Sequence, residues 1–390
     1  MNLGTLWEKF YLRVETLIYF LSLWSIKFFN RHIFTCILSC YRFHKMRAIQ
    51  LYLLCSSLTL AAQSYNNRGG IMDSVPVNNL ARYARNPMVK NYLAKLAERE
   101  KPKNVARWYY VDTNLLPKEI ADKYEANSYD AGTEEFVEAC YEKSDWFFTQ
   151  VYHSVARTVL GFFMSMTSVN GLLNRGAMFV FSEAQFQRFL DIPVDWKADS
   201  LLDIGAGDGK VTEKILHHFR QKFATEQSPT MQWRLQEKGF KILDIDEWSH
   251  KKDYSVVTAL NLLDRIDTPM KFLRDLHSAV RLGEGLIVLA IVLPYSPCHE
   301  KGSTFGEPQE RLPINGETIE EQIVSLHDDV FTPNGFEVVK FTRLPYLCEG
   351  DLHNDFFLLT DIVFLLKTTS GVGKVVELES ESSSSVNVTV

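Results

Sequence analysis

The sequence is poor in the features that define several common protein classes. It has six cysteines in 390 residues, and only Cys140, Cys298 and Cys348 lie beyond residue 63. With no C-x-x-C pair, this content excludes a dense disulfide framework. The pair Cys298-His299 has no second pair at ligand spacing, so we expect no metal site. The phosphate-binding pattern G-x-x-x-x-G-K-[ST] and internal repeats are also missing.

Most of the chain has no excess of basic over acidic residues. The formal net charge is −6. Residues 1–63 contain seven Lys/Arg and two Glu, a net charge of +5, so residues 64–390 carry −11. An acidic body argues against nucleic acid as a partner, because phosphate backbones require clustered Lys and Arg. It suits a neutral or basic peptide substrate.

A hydrophobic run of membrane-spanning length is lacking as well. Val14–Ile26 is shorter than the ~18–20 residues that a span requires. From Met46, the apolar run Ile49–Leu54 and the small residues up to Ala61 and Ala62 resemble a secretory signal peptide. Translation from Met46 and a genuine membrane-proximal leader both remain open. Either one predicts the endomembrane system, with the endoplasmic reticulum as the main compartment and mitochondria as a further one.

The remaining sequence suggests four regions. Residues 64–105 form a proline-containing linker, residues 106–198 a helical cap, residues 199–368 an α/β domain, and residues 369–390 an acidic, serine-rich tail expected to be disordered. In the cap, apolar residues recur at helical spacing from Thr133 to Met166. We interpret them as two helices, the second capped by Ser144. A third helix is predicted over Ser182–Leu190.

From residue 200 the chain alternates between strand-like and helix-like segments. The predicted strands are Leu201–Ile204, Lys222–Thr225, Lys241–Ile245, Ser255–Leu260, Gly285–Leu293, Glu337–Phe341 and Phe356–Leu366. The predicted helices are Val211–His217, Pro229–Glu237, Pro269–Val280 and Thr318–Val324. This alternation is typical of a doubly wound parallel sheet, here closed by an antiparallel hairpin.

The most informative motif is Leu-Leu-Asp-Ile-Gly-Ala-Gly-Asp-Gly at residues 201–209. Gly205 and Gly207 permit positive φ and a close approach of the backbone to a ligand. The acids Asp203 and Asp208 would repel phosphate. They suit a cofactor with a cationic end, such as S-adenosyl-L-methionine with its sulfonium and ammonium groups.

Further polar residues follow the later strands, whose carboxyl ends are expected to meet at one edge of the sheet. Glu226, about twenty residues after the turn, suits the two ribose hydroxyls of an adenosine. Asp246 is a candidate acceptor for the adenine amino group, and capping of a helix is its alternative. Asn261 and Asp264 would face the reactive methyl group. The alternative for Asp264 is a surface ion pair with Arg265.

Several longer blocks resemble the DREV family. They are S-V-N-G-L-L at 168–173, G-A-M-F-V-F-S at 176–182, the glycine turn, N-L-L-D-R at 261–265 and T-R-L-P-Y-L-C-E-G-D at 342–351. The resemblance runs from about residue 146 to residue 366. It implies a seven-stranded Rossmann-like class I methyltransferase sheet that uses S-adenosyl-L-methionine. It also implies methylation of the pros nitrogen of histidine in His-x-His sequences of other proteins.

By position, the resemblance assigns roles to individual residues. Asp203 and Gly205 match the cofactor motif, Glu226 the ribose acid, Asn261 and Tyr346 further cofactor contacts, and Asp264 an acid on the substrate side. Phe356 and Phe357 stand where the family has a pair of tyrosines, so two hydroxyl groups are lost. From its place in the chain, the stretch 343–351, which contains Tyr346, is predicted to be the loop between the last two strands. Such a loop could close over the substrate, and a purely structural hairpin loop is the alternative.

The chemistry of histidine explains the need for an acid such as Asp264. Neutral imidazole is already nucleophilic, so the enzyme has to select one tautomer and stabilise the imidazolium that forms. A carboxylate that accepts the tele N–H does both. A small-molecule methyltransferase and a cofactor-binding scaffold without catalysis remain alternatives. We expect a monomer.

Overall fold

The computed structural model describes residues 104–250, 253–301 and 304–369. The predicted leader and signal region at 1–63, residues 64–103 of the linker and residues 370–390 of the tail lie outside these ranges. Within them, no helix combines the length and the hydropathy that a membrane crossing requires.

The chain divides into two compact units. One comprises residues 1–101 and 146–155, of which the structure describes 146–155, the start of a helix over Phe147–Leu160. The other comprises residues 102–145 and 156–390 and contains the sheet. The candidate site described below also lies in this second unit.

The sheet has eight strands in the order β1-β9-β10-β6-β5-β2-β3-β4. Their bounds are β1 Met178–Phe179, β2 Ala198–Ile204, β3 Phe219–Thr225, β4 Lys241–Ile242, β5 Val256–Leu260, β6 Leu286–Val292, β9 Phe336–Glu349 and β10 Phe356–Thr368. A separate hairpin pairs β7 His299–Lys301 with β8 Thr304–Gly306. Strands β2 to β6 are parallel, and β9 and β10 run antiparallel at one side.

The helices lie between the strands as the periodicity predicts. In chain order they are α1 Lys118–Ala121, α2 Ala131–Ser144, α3 Phe147–Leu160, α4 Met166–Leu173, α5 Glu183–Phe189, α6 Lys210–Glu213, α7 Pro229–Glu237, α8 Pro269–Ala279 and α9 Ile319–Ser325. Both faces of the sheet are covered by apolar clusters. One includes Leu202, Val257 and Leu289, and the other includes Leu201, Val256 and Val288. Neighbouring residues of one strand therefore enter opposite cores, as expected for a sheet buried on both faces.

The prediction of a seven-stranded Rossmann-like sheet is confirmed, with one addition. Strands β2–β6, β9 and β10 are the seven predicted ones. The eighth, β1, comes from the predicted cap and pairs with β9 through Met178↔Cys348 and Phe179↔Leu347. Two residues are too few for a strand period to be recognised in a sequence.

Two local predictions were wrong. Ser144 does not cap a second helix: it is the last residue of α2, and its hydroxyl donates to Asp355. Most of the stretch 343–351 is not a loop, because β9 continues to Glu349 and pairs with β10, and only Gly350 and Asp351 lie in the turn. That long pairing satisfies backbone groups that a loop would have left to water. The turn between the two strands is correspondingly short.

Candidate active site

The glycine turn joins β2 to α6 at the carboxyl edge of the sheet. Gly205, Gly207 and Gly209 have φ values of 67°, 58° and 71°. A side chain at Gly205 would lie 2.8 Å from Leu262 Cδ1, and one at Gly209 equally close to Leu235 Cδ2. A side chain at Gly207 would meet no described atom within 4 Å. The turn is therefore closely packed on one side and open at Gly207, where a ligand can reach the backbone.

Asp203 fixes this turn from behind. The residue is only 3% exposed. It accepts hydrogen bonds of 2.7 Å from the Thr212 hydroxyl on α6 and of 2.7 Å from the Thr258 hydroxyl on β5. Burial raises the pKa of Asp203 to about 6, and the two hydroxyl bonds oppose the shift. Asp203 thus joins β2 to its neighbours and holds the turn that follows.

Glu226 lies at the end of β3, next to the turn. Its Oε2 accepts from the Gly207 N–H at 3.0 Å, and its Oε1 accepts from the Ser228 N–H at 2.9 Å. Each carboxylate oxygen has a second lone pair, so a positioned Glu226 can also accept from ribose hydroxyls. The sequence predicted that Glu226 and the glycine turn lie at the same edge of the sheet. In the structure, Glu226 and Gly207 are in direct contact.

Asn261 follows β5 with a φ of 56°, in the left-handed region that few residues other than glycine adopt. Its backbone N–H donates to Ala290 O on β6. Its side-chain Nδ2 crosses β6 and donates to Asp361 Oδ2 on β10 at 2.8 Å. The strained backbone is thus held by bonds to two neighbouring strands.

Asp264 is buried although its partner is not. The Asp264 side chain is 5% exposed, whereas that of Arg265 is 44% exposed. Arg265 Nε donates to Asp264 Oδ2 at 3.3 Å. Burial raises the pKa of Asp264, and the charge of Arg265 opposes the shift. The ion pair weighed in the sequence analysis exists, but its acid is not on the surface.

Tyr346 is buried in β9, where its hydroxyl donates to Met178 Sδ. Burial raises its pKa well above the ordinary value, and the nearby thiol of Cys348 adds to the shift. Because β9 is a strand here, the backbone of Tyr346 is fixed by pairing with Leu359. Phe356 packs edge to face against Trp108 and Tyr141.

Asp246 is far less constrained than the other candidates. It is exposed, and its backbone N–H donates to Asp244 Oδ1 at 2.9 Å. Asp244 therefore makes the turn, and the side chain of Asp246 faces solvent. Trp248, further along the same segment, is buried in the core beside Phe272.

Asp361 was not predicted from the sequence. It is fully buried in β10, and the cross-strand pair Asp361↔Val292 places it at the carboxyl end of β6. Burial raises its pKa well above the ordinary value, and the carboxylate of Asp264 adds to the shift. The sequence signal that could have found it is an acid within the apolar run Phe-Phe-Leu-Leu-Thr-Asp-Ile-Val-Phe. Burying a charged group is costly, so such an acid indicates a functional role.

Three acceptor atoms in this cluster have no partner among the described residues. They are Asn261 Oδ1, Asp264 Oδ1 and Asp361 Oδ1, and all three are buried. Leu262, which packs against Gly205, connects the cluster to the glycine turn. Buried acceptors without donors are costly, so this group is suited to receive N–H or O–H groups from a ligand.

Together, the strand order, the glycine turn after β2 and the acid after β3 define a Rossmann-like protein with a cofactor site at the carboxyl edge of its sheet. The sequence pattern of the DREV methyltransferase family matches residues 108–368, and the chain belongs to this family. The match confirms the resemblance noted above. S-adenosyl-L-methionine is accordingly the cofactor, and the open face of Gly207 beside Glu226 fits it.

The chain also has low similarity to solved structures of methyltransferases. One is an S-adenosylmethionine-dependent methyltransferase from Clostridium acetobutylicum, with 15% identity over 44% of this chain and 84% of that one and a TM-score of 0.30. Another is the 1,6-didemethyltoxoflavin-N1-methyltransferase of Burkholderia thailandensis, solved with S-adenosylhomocysteine. It has 15% identity over 48% of this chain and 76% of that one and a TM-score of 0.32. At these values the two structures assign no substrate to this chain.

Proposed function

We propose that this methyltransferase modifies the pros nitrogen of histidine in His-x-His sequences of other proteins. The observation that carries the proposal is the buried group of unpartnered acceptors at Asn261, Asp264 and Asp361. A neutral imidazole offers one N–H donor and one nitrogen lone pair, and it becomes cationic when the lone pair is alkylated. A group of buried acceptors that includes two carboxyl groups suits both properties.

Asp264 has the central role in this proposal. Its free Oδ1 accepts the tele N–H of the substrate, which selects the tautomer whose pros nitrogen carries the lone pair. Arg265 holds the other oxygen and so fixes the orientation of the carboxylate. S-adenosyl-L-methionine, when bound, supplies the electrophilic methyl group. The charge of Asp264 stabilises the developing imidazolium in a site from which water is largely excluded.

Asn261 and Asp361 support the same site. Their mutual hydrogen bond ties the loop after β5 to β10 and leaves one oxygen of each side chain available. With its pKa raised, Asp361 takes up a proton more readily than an exposed acid does. A pair of carboxyl groups with different partners, Arg265 for one and Asn261 for the other, can divide the tasks of charge stabilisation and hydrogen bonding.

The proposal extends to partners and location. We propose protein substrates rather than nucleic acid, because residues 64–390 carry a net charge of −11. We also propose a monomer that works in the endomembrane system, chiefly the endoplasmic reticulum. The signal-like pattern after Met46 supports that location, and N-terminal sequencing of the mature protein would test it.

The deciding experiment measures transfer of labelled methyl groups to a peptide that contains His-x-His. A peptide with Ala-x-Ala at the same positions is the control. Amino-acid analysis of the product distinguishes pros-methylhistidine from tele-methylhistidine. We expect label only in the first peptide and only at the pros position. Label on both peptides, on lysine, or on neither would overturn the proposal, and methylation of small molecules alone would favour the small-molecule alternative.

A further inference from the structure

Outside the active site, Glu183, His217 and His218 bring three potential metal ligands together. Their ligand atoms all lie within 4.8 Å of one another. Glu183 Oε1 is 3.2 Å from His217 Nε2 and 3.8 Å from His218 Nε2. Glu183 lies 34 positions before His217 in the sequence, so the fold alone brings the glutamate to the two histidines.

The fold holds both sides of the group. Glu183 is the first residue of α5, whose start is fixed by a capping box between Ser182 and Gln185. The two histidines belong to a 3-10 turn, Leu216–His218, that leads directly into β3. Lys197 Nζ donates to the His217 carbonyl oxygen at 2.8 Å and further anchors the turn.

His218 has the tautomer that metal binding requires. Its Nδ1 lies 2.9 Å from Trp196 O, and a carbonyl oxygen can only accept, so Nδ1 carries the proton. The lone pair of neutral His218 is therefore on Nε2, the atom that faces Glu183. Metal-binding histidines usually donate their other ring N–H to a carbonyl or carboxylate in this way.

The separations between the ligand atoms suit a tetrahedral ion. Zn–N and Zn–O bonds of about 2.0–2.2 Å place neighbouring ligand atoms ~3.3 Å apart in a tetrahedron. The observed distances of 3.2 and 3.8 Å lie close to this value. Gln187 Nε2 now donates to Glu183 Oε1 at 3.0 Å and lies 3.3 Å from His218 Nε2. Its half-buried side chain would have to turn away.

We propose that Glu183, His217 and His218 bind one divalent transition-metal ion of the Zn²⁺ class. Two imidazoles and one carboxylate are ligands that Zn²⁺ accepts, and water completes the coordination. The group is reachable, since the side chains of His217 and Glu183 are 47% and 40% exposed, while His218 is buried behind them. The bound ion clamps α5 to the turn before β3. The sequence analysis predicted no metal, because these ligands have no spacing that marks a site.

Calorimetric titration of the full, untagged chain with ZnCl₂ tests the proposal. We compare the natural protein with His217→Ala and Glu183→Gln. His327→Ala is the matched control, because His327 Nδ1 also lies close to a carboxylate, Asp328 Oδ1 at 2.6 Å, and no described residue adds a third ligand there. We expect one ion bound per chain, at least tenfold weaker binding in the first two variants, and unchanged binding in His327→Ala.

A second measurement separates ligand loss from unfolding. Zn²⁺ is expected to raise the melting temperature of the natural protein and of His327→Ala, but not that of His217→Ala. Circular dichroism checks that His217→Ala folds. We expect that it does, because the His217 side chain is 47% exposed. Absence of binding to the natural protein at millimolar Zn²⁺, or equal affinity in His217→Ala, would overturn the proposal. Neither measurement depends on methyl transfer.

Discussion

Asn261 and Asp361 are 100 residues apart, and their side chains are joined by a hydrogen bond of 2.8 Å. The bond spans β6, because Asn261 follows β5 and Asp361 lies on β10. Each partner also has a buried oxygen that accepts no hydrogen bond from a described residue. This link joins the parallel part of the sheet to its antiparallel hairpin at the position where we propose that the substrate binds.

The first prediction concerns Asp361. Asp361→Asn should keep the fold, since asparagine has the same size. It replaces one carboxyl oxygen, either Oδ2 that accepts from Asn261 or the unpartnered Oδ1, with an NH₂ group that can only donate. We expect single-turnover methyl transfer to a His-x-His peptide to fall about 10- to 100-fold, or about 1.4–2.7 kcal/mol. Asp199→Asn is the control, because Asp199 forms an exposed ion pair with Arg220. Equal rates in the two variants would exclude Asp361 from the site.

The second prediction compares Asp264 with Arg265. Asp264→Asn should lower transfer by about 2–4 kcal/mol of transition-state stabilisation, because its amide cannot supply the charge and can hold the wrong tautomer. Arg265→Gln should have a smaller effect, because it alters only the orientation of Asp264. Affinity for the cofactor should be unchanged in both. Methyl-transfer rates of both variants, measured at saturating cofactor, test this prediction. A rate equal to that of the natural protein in Asp264→Asn would contradict the role of Asp264.

The third prediction uses two glycines with similar backbones. Gly207 and Gly239 have φ values of 58° and 83°, and a side chain at either would meet no described atom within 4 Å. Replacing either with Ala should cost about 1–2 kcal/mol of unfolding free energy. Only Gly207→Ala should also weaken binding of S-adenosyl-L-methionine in calorimetric titration, because its added methyl group lies where the cofactor approaches. Equal affinity in both variants would mean that the cofactor lies elsewhere.

The fourth prediction concerns Glu226, which contacts the backbone at Gly207 and Ser228. Glu226→Ala should weaken binding of S-adenosyl-L-methionine by about 1–3 kcal/mol, since charge-assisted bonds to the ribose are lost. Titration with 5′-methylthioadenosine, which retains the ribose, should show a similar loss. An unchanged affinity for both ligands would place the ribose away from Glu226.

The fifth prediction concerns pH and Asp203, whose pKa is raised from 3.8 to about 6 in the folded protein. Since the folded state binds the proton more tightly, Asp203 favours folding below about pH 4, and this contribution is lost as the pH rises to about 6. The full change is about 3 kcal/mol. The unfolding free energy of the natural protein should therefore fall relative to Asp203→Asn across this interval. Urea denaturation at several pH values tests this, and a constant difference would contradict it.

The local pattern of the sequence was sufficient to predict the main architecture of the sheet and part of the candidate site. Alternating apolar strands and amphipathic helices predict a parallel sheet, because each element has to bury its own apolar face. The glycine turn and Glu226 could be recognised because their spacing follows from adjacent strands of that sheet. Their contact through the Gly207 N–H shows why the spacing is informative.

Only the tertiary structure revealed what depends on pairing between distant residues. Arg343–Glu349 became part of a strand because β10 supplies partners for its backbone, and Met178–Phe179 became a strand because β9 lies beside it. Asp361 lies in the candidate site because of the register between β10 and β6, and Glu183 lies beside His217 because of how the chain packs. Local propensity contains no information on such contacts, since hydrogen bonds and burial between remote segments exist only once the chain has folded.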